Sequence, residues 1–147
     1  MSRPLAQATT VDGVVVAGTR DALRIGEQTI PWEQVQSADW DKEGGALVVA
    51  EVGHWGDERP VHRLALPEPG RLLQLVRERV TASVVLQRHV AVDGRRGLFV
   101  IGRRAPSGHG PITWIFEFQD GIDPADPAVQ HLAEAALQSA RADVGDG

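Results

Sequence analysis

The chain has 147 residues, of which 42% are hydrophobic and 24% charged, and its formal net charge is −5. These values describe one globular domain that is large enough to fold without a disulfide or a structural metal, and the negative charge speaks against a nucleic-acid binder. The lack of cysteine excludes disulfides, thiolate metal ligands and cysteine nucleophiles. The sequence has no apolar run of transmembrane length and no signal-peptide core near its start, so we expect a cytoplasmic protein without a membrane partner.

Charge alternates in blocks along the chain. Residues 27–58 hold eight acids and one lysine, residues 59–116 hold ten arginines and three acids, and residues 117–147 hold seven acids and one arginine. Such blocks either form separate solvated faces or complement one another, within the fold or across a dimer. The sequence leaves both alternatives open.

The first half of the chain predicts short strands joined by tight turns. Residues 1–10 show no regular pattern and are expected to be a loose leader. Alternating apolar residues on both sides of Gly26-Glu27 are typical of a hairpin, and Pro31 marks a strand boundary before a turn at 32–34. The strands predicted in this half cover residues 14–16, 23–25, 28–30, 35–41, 46–52 and 61–66.

An amphipathic helix is predicted from Pro69 to Ser83. Leu72, Val76 and Val80 recur at intervals of four residues and therefore share one face. From residue 84 the period changes to two, which predicts a strand over 84–92. On one face of that strand lie Val84, Leu86, Arg88, Val90 and Val92.

Two more strands and a helix complete the expected order. Asp93-Gly94 predicts a turn into a strand over 98–103. In the strand over 112–118, the alternating residues Ile112, Trp114, Phe116 and Phe118 are expected to face the core. Asp123 and Pro124 are the predicted N-cap and first residue of a C-terminal helix that ends near Gly145.

The expected fold class is α+β. We predict a single domain over residues 11–145, with an antiparallel sheet or partly open barrel of about seven to eight short strands, a central helix and a C-terminal helix.

Two stretches resemble known families. The run ALRIGEQTIPWEQVQSADWD, with its bend at Ile30-Pro31, is similar to the early hairpins of bacterial pleckstrin-homology-like domains. That resemblance implies an antiparallel barrel closed by one helix after seven strands, and the helix predicted at 69–83 is additional to it. The segments IPWEQVQSADWD, EPGRLLQLVRERVTASVVLQRHV and GIDPADPAVQHLAEAALQSAR together look like a small actinobacterial family, a resemblance that implies no particular activity.

The sequence shows no recognisable catalytic or metal-binding motif. None of the five histidines forms an H-E-x-x-H pattern, although His62 and His89 could meet across strands. Ser107-Gly108-His109 lacks both a nucleophile elbow and a partner acid. We therefore expect no catalytic residues, no metal and no cofactor, and we predict that the protein is not an enzyme.

Two candidate binding features remain. Trp55, in a Gly-rich loop, is the candidate interaction anchor. A second candidate, an anion or acidic-partner patch, consists of the arginines Arg88, Arg95, Arg96, Arg103 and Arg104. Our first hypothesis is a non-catalytic interaction or scaffolding domain that binds another protein or a second copy of itself. The alternative is a small-ligand or anion-binding module that uses the five arginines.

Overall fold

The computed structural model describes residues 3–53 and 59–145. In these ranges the elements are β1 (Ala6–Thr9), β2 (Val15–Gly18), β3 (Ala22–Ile25), β4 (Gln28–Pro31), a short 3-10 helix (Trp32–Gln34), β5 (Val35–Asp41), β6 (Ala46–Glu51), β7 (Val61–Ala65), α1 (Leu72–Ala82), β8 (Val84–Asp93), β9 (Arg96–Arg103), β10 (Thr113–Phe118) and α2 (Pro127–Asp143).

The strands form three antiparallel sheets, and α1 and α2 are the two predicted helices. Together they confirm the predicted α+β class. The strand orders are β1-β2-β3-β4, β5-β6-β7 and β10-β9-β8. The expected single sheet or barrel of seven to eight strands is therefore divided, and the described ranges contain ten strands that do not close into a barrel. The chain changes sheet where Pro31 ends β4 and the 3-10 helix redirects it, because proline cannot donate to a ladder.

Part of the expected loose leader is a strand. Residues 6–9 form β1 and pair with β2, with Ala8 opposite Val16. Ala8 is buried and alternates with exposed Gln7 and Thr9. Small apolar residues at alternate positions can therefore extend the sheet even in a segment without strong strand formers.

The N-terminal lobe, defined as residues 6–82, has its own core. Trp32 is fully buried, and its indole N–H donates to the C=O of Thr19 at 2.9 Å. Leu72 and Val76 pack α1 against the same core, as the spacing predicts. The helix begins at Leu72 rather than at Pro69, because Gly70 has a φ of +55° and a helix requires negative φ.

The C-terminal lobe, defined as residues 84–143, consists of the β10-β9-β8 sheet with α2 packed on one face. Its buried core comprises Leu98, Val100, Val129, Ala133 and Ala140. The aromatic side chains of β10 pack against this core and are partly buried. The predicted inward side of Trp114, Phe116 and Phe118 is thus confirmed, whereas Ile115, which the alternation places on the opposite face, is the one buried residue of the strand at 6% exposure.

The start of α2 differs from the prediction by three residues. Asp126 is the N-cap, with its side chain accepting a hydrogen bond from the N–H of Ala128 at 2.9 Å, and Pro127 begins the helix. The predicted cap, Asp123, instead accepts from the N–H of Ala125 in the preceding turn. The sequence contains two Asp-Pro pairs, and either fits the pattern. At the other end Gly145, with a φ of +73°, follows the helix as expected.

Candidate functional site

The hydrogen bonds of Gly97 show which backbone groups of β9 point towards β10 and which towards β8. This residue lies opposite Ala91 of β8. Its N–H donates to Oε1 of Gln119 at 2.7 Å, and its C=O accepts from the N–H of Gln119 at 3.0 Å. Since Gln119 follows β10, both backbone groups of Gly97 point away from β8.

The orientation of β8 follows from this geometry. Backbone groups alternate in direction along an antiparallel strand, and the β8–β9 pairing has no register shift between residues 86 and 91. Leu86, Arg88 and Val90 therefore bond to β9. The intervening residues, Gln87, His89 and Ala91, direct their N–H and C=O groups to the outer edge of the sheet.

The outer edge of β8 is long and solvated. β8 has ten residues, whereas strands usually have five or six. The side chains of Gln87, His89 and Ala91 are all exposed, on the face opposite α2. Within the described residues, no hydrogen bond reaches the outward backbone groups of these three. We call the set Gln87, His89 and Ala91 the open edge.

Three other sheet edges, those of β10, β1 and β7, lie against neighbouring elements. The side chain of Gln34, in the 3-10 helix, reaches Oγ1 of Thr113 in β10 at 3.4 Å. β1 lies beside α1, and the N–H of Val11 donates to the C=O of Ala65 at the end of β7 at 3.1 Å. Edge strands present unpaired backbone groups that readily accept another strand. Cover of this kind prevents such pairing, and the open edge lacks it.

Arg103 ties the two lobes together. Its Nη1 donates to the C=O of Val80 at 3.2 Å and to Oγ of Ser83 at 2.8 Å, at the end of α1. Its Nη2 donates to the C=O of Gln36 in β5 at 3.0 Å. Only 5% of the residue is exposed. A cation at this position also interacts favourably with the negative end of the helix dipole.

Glu117 supplies the compensating negative charge. Its Oε2 accepts from the side-chain amide of Gln36 at 2.8 Å. Burial lowers the pKa of Arg103 from the ordinary arginine value, and the nearby Glu117 carboxylate acts in the opposite direction. The guanidinium is therefore a structural cation, with most of its donors used inside the molecule.

The structure does not bring the five predicted arginines together. Arg95 and Arg96 lie in the turn and at the start of β9, about 20 Å from Arg103, given the rise of a strand of this length. Arg88 donates to Oδ2 of Asp143 at 2.6 Å. Arg104 donates from Nη1 to the C=O of Gly108 at 3.3 Å in the following loop.

The other predicted features lie apart as well. Trp55, the proposed anchor, falls outside the described residues. His62 contacts Oε2 of Glu51 at 2.6 Å in the second sheet, while His89 contacts Oε1 of Gln119 at 2.9 Å in the third. These two histidines therefore do not meet. The residues of 3–53 and 59–145 include no group of three or more His, Asp or Glu placed to hold a metal ion.

A shallow groove of about 420 Å³ lies between β1 and α1. Its lining residues are Leu5, Ala6, Arg71, Gln74, Leu75 and Glu78. It is open to solvent and contains one residue of each charge sign, Arg71 and Glu78. We find no convergent set of polar groups in it that would orient a ligand.

Comparison with protein-family models, with curated proteins and with solved structures finds no match. No helix in the described part of the chain combines the length and the apolarity needed to cross a bilayer.

The open edge was not among the predicted site residues. The signal for it was present, because β8 alternates over ten residues without proline or lysine, the residues that often protect an edge. The missing information was the sheet order, which decides whether such a strand lies inside the sheet or at its margin.

Proposed function

We propose that this protein is a non-catalytic interaction domain that binds an extended segment of another polypeptide along β8. The observation that carries the proposal is the open edge. Its three residues, which alternate along β8, each offer both the N–H and the C=O group to solvent. In β-strand addition, main-chain hydrogen bonds supply affinity and alternate side chains supply specificity.

The expected affinity is modest. A backbone hydrogen bond formed in water contributes about 0.5–1.5 kcal/mol net, and ordering the incoming segment offsets part of this gain. The exposed side chains of Val85, at 40% exposure, and of Ala91 add a small apolar surface beside the ladder. These magnitudes suit a reversible partner rather than a permanent subunit.

We also infer that the N-terminal lobe is pleckstrin-homology-like. A four-stranded sheet, a three-stranded sheet and then α1 give seven strands followed by one helix, the order that the resemblance implies. On this interpretation α1, rather than α2, is the closing helix. The β8-β9-β10-α2 unit that carries the open edge is then an addition to that fold.

The arginine-based alternative has less support. Arg103 uses its Nη atoms within the fold, and Arg88 is paired with Asp143. Arg95 and Arg96 are exposed at a hairpin turn without other converging donors. Titration with inorganic phosphate tests this alternative, and we expect no saturable binding at low ionic strength.

Strand peptides test the proposal directly. The probes are fluorescein-labelled peptides of ten residues with alternating apolar and polar side chains: one copies residues 84–93 and several have unrelated sequences. We expect at least one probe to bind and to slow amide exchange at Gln87, His89 and Ala91. Ala91→Pro should abolish binding, because proline removes an outward N–H, whereas Ala91→Ser should retain it. The proposal is wrong if none of the probes binds or slows exchange at these three amides.

A further inference from the structure

We propose that the segment added to β8 is the β8 strand of a second copy of this chain, with the twofold axis at His89. This inference rests on the proposed function and names its partner. Two copies would then form one continuous six-stranded sheet, with both α2 helices on the same face, since the axis runs perpendicular to the sheet.

The backbone selects the register. Because paired residues face the same side of an antiparallel sheet, a symmetric pairing must place one β8 residue opposite itself. With His89 on the axis, Gln87 lies opposite Ala91 of the other copy, so every residue of the open edge meets another member of the set. Each of the three residues in either copy donates one N–H and accepts one, which gives six hydrogen bonds across the axis.

Neighbouring registers are less favourable. An axis at Arg88 would place the two Arg88 side chains opposite each other, and like charges directly opposite destabilise a strand pair. An axis at Val90 would leave Gln87 opposite Asp93, where the β8 ladder is irregular. With His89 on the axis, Arg88 instead faces Val90 of the other copy and keeps its own partner, Asp143.

Charge does not protect this strand against itself. β8 contains one arginine and one aspartate as its full charges, and Arg88 is already paired. The edge also lacks the lysines and prolines that prevent self-pairing in many proteins. Because the contact is formed by backbone groups, the dimer should depend little on salt, unlike a dimer held by complementary charge blocks.

Substitutions that place a positive or a negative charge at position 89 are the decisive test. In the proposed register, residue 89 is the only one that lies opposite the same residue of the other copy. At pH 8 we expect the wild type and His89→Gln to self-associate by light scattering at micromolar to millimolar concentrations. His89→Lys and His89→Glu should each associate about tenfold more weakly, because like charges meet on the axis. Mixing these two variants should restore association as a heterodimer.

Gln87→Lys is the matched control. It introduces the same charge on the same face, but the new ammonium group would lie opposite Ala91 of the other copy, so the association of this variant should equal that of the wild type. Equal weakening by Gln87→Lys and His89→Lys would overturn the assigned axis. Failure of the His89→Lys and His89→Glu variants to pair with each other, when the wild type associates, would overturn it as well.

Single cysteines test the same register, because the chain contains none. Hydrogen-bonded antiparallel partners have Cα atoms about 5.5 Å apart, which is within disulfide range. Under mild oxidation His89→Cys should cross-link with itself, while Gln87→Cys should cross-link efficiently only when mixed with Ala91→Cys. Self-linking of Gln87→Cys alone at the rate of His89→Cys would contradict the inference.

The failure of this inference differs from the failure of the proposed function. A chain that stays monomeric at millimolar concentration, yet binds an unrelated strand peptide along β8, overturns the self-pairing and leaves the interaction function standing. A monomer that binds none of the strand probes overturns both.

Discussion

The two edge strands of the β10-β9-β8 sheet differ in their contacts with the rest of the molecule. At β10, the side-chain amide of Gln36 in β5 donates to Oε2 of Glu117 at 2.8 Å. At β8, within the described residues, no other element reaches the outward backbone. The sheet therefore has one margin that side-chain contacts link to the N-terminal lobe and one whose outward backbone groups no described element reaches.

The difference lies in what each margin offers to its neighbours. The β10 margin carries Glu117 and lies beside Arg103, whose donors reach β5 and the end of α1. That buried polar network specifies one internal partner, because each of its groups would be costly to leave unpaired. The open edge carries no Asp, Glu, Lys or Arg and offers mainly backbone groups, which accept any suitable strand.

Removing the buried guanidinium should produce the largest effect. Arg103→Leu would leave the C=O of Gln36 and the hydroxyl of Ser83 without the guanidinium donor, and Glu117 without its nearby cation. We expect a loss of about 3 kcal/mol in the free energy of unfolding. Urea unfolding measures this loss. The control Arg95→Leu, at an exposed turn, should change stability by less than about 0.5 kcal/mol; an equal loss in both variants would contradict the account.

A methyl group at Gly97 should perturb the β8–β9 contact. An added Cβ would lie only 1.8 Å from the C=O oxygen of Val90, so the two backbones must separate. We expect Gly97→Ala to cost about 2 kcal/mol, again by urea unfolding. At Gly18 the atom in the way is the end of the flexible Leu75 side chain, so Gly18→Ala should cost less. The reverse order would contradict the assigned close approach.

A proline in the open edge should abolish association with little loss of stability. The N–H of Ala91 donates to no group within the described part of the chain, so Ala91→Pro should lower the free energy of unfolding by only about 1 kcal/mol while it abolishes association. The corresponding substitution Val90→Pro removes an N–H that bonds to β9 and should be clearly more destabilising. Thermal unfolding compares the two, and equal destabilisation would mean that the assigned alternation is wrong.

A smaller effect is expected at the exposed ion pair between Asp41, at the end of β5, and Arg63 in β7. The hydrogen bond from Arg63 lowers the pKa of the Asp41 carboxyl below its ordinary value. A lowered pKa in the folded state means that Asp41 stabilises the fold above about pH 4 and that this contribution disappears as the pH falls through the folded-state pKa. Arg63→Gln should therefore reduce the difference in stability between pH 6 and pH 2. An unchanged difference would show that the pair contributes nothing.

The local sequence pattern predicts many of the helices and strands. It does not predict which residues distant in the sequence pair with each other. The period-four face of Leu72 and Val76 and the alternation from Val84 to Val92 both appear in the structure. Arg88 interrupts that alternation, and its partner Asp143 lies 55 residues away. Nothing local indicates this pair.

The arginine patch shows the same limit. Arg103 resembles a solvated hairpin residue in the sequence, but its partners come from β5 and from the end of α1, at sequence separations of 67 and 23 residues. Only the three-dimensional packing of the lobes makes it structural. The open edge likewise depends on sheet order, which hydrophobic periodicity does not specify.

Residue-resolved amide hydrogen exchange across a dilution series tests the central claim most directly. In dilute solution, the amides of Gln87, His89 and Ala91 should exchange rapidly while those of Leu86, Arg88 and Val90 remain protected. At high concentration all six should be protected. Protection of all six amides at every concentration would show that β8 is already covered within a single chain, and rapid exchange of the first three at every concentration would show that no second copy adds to it.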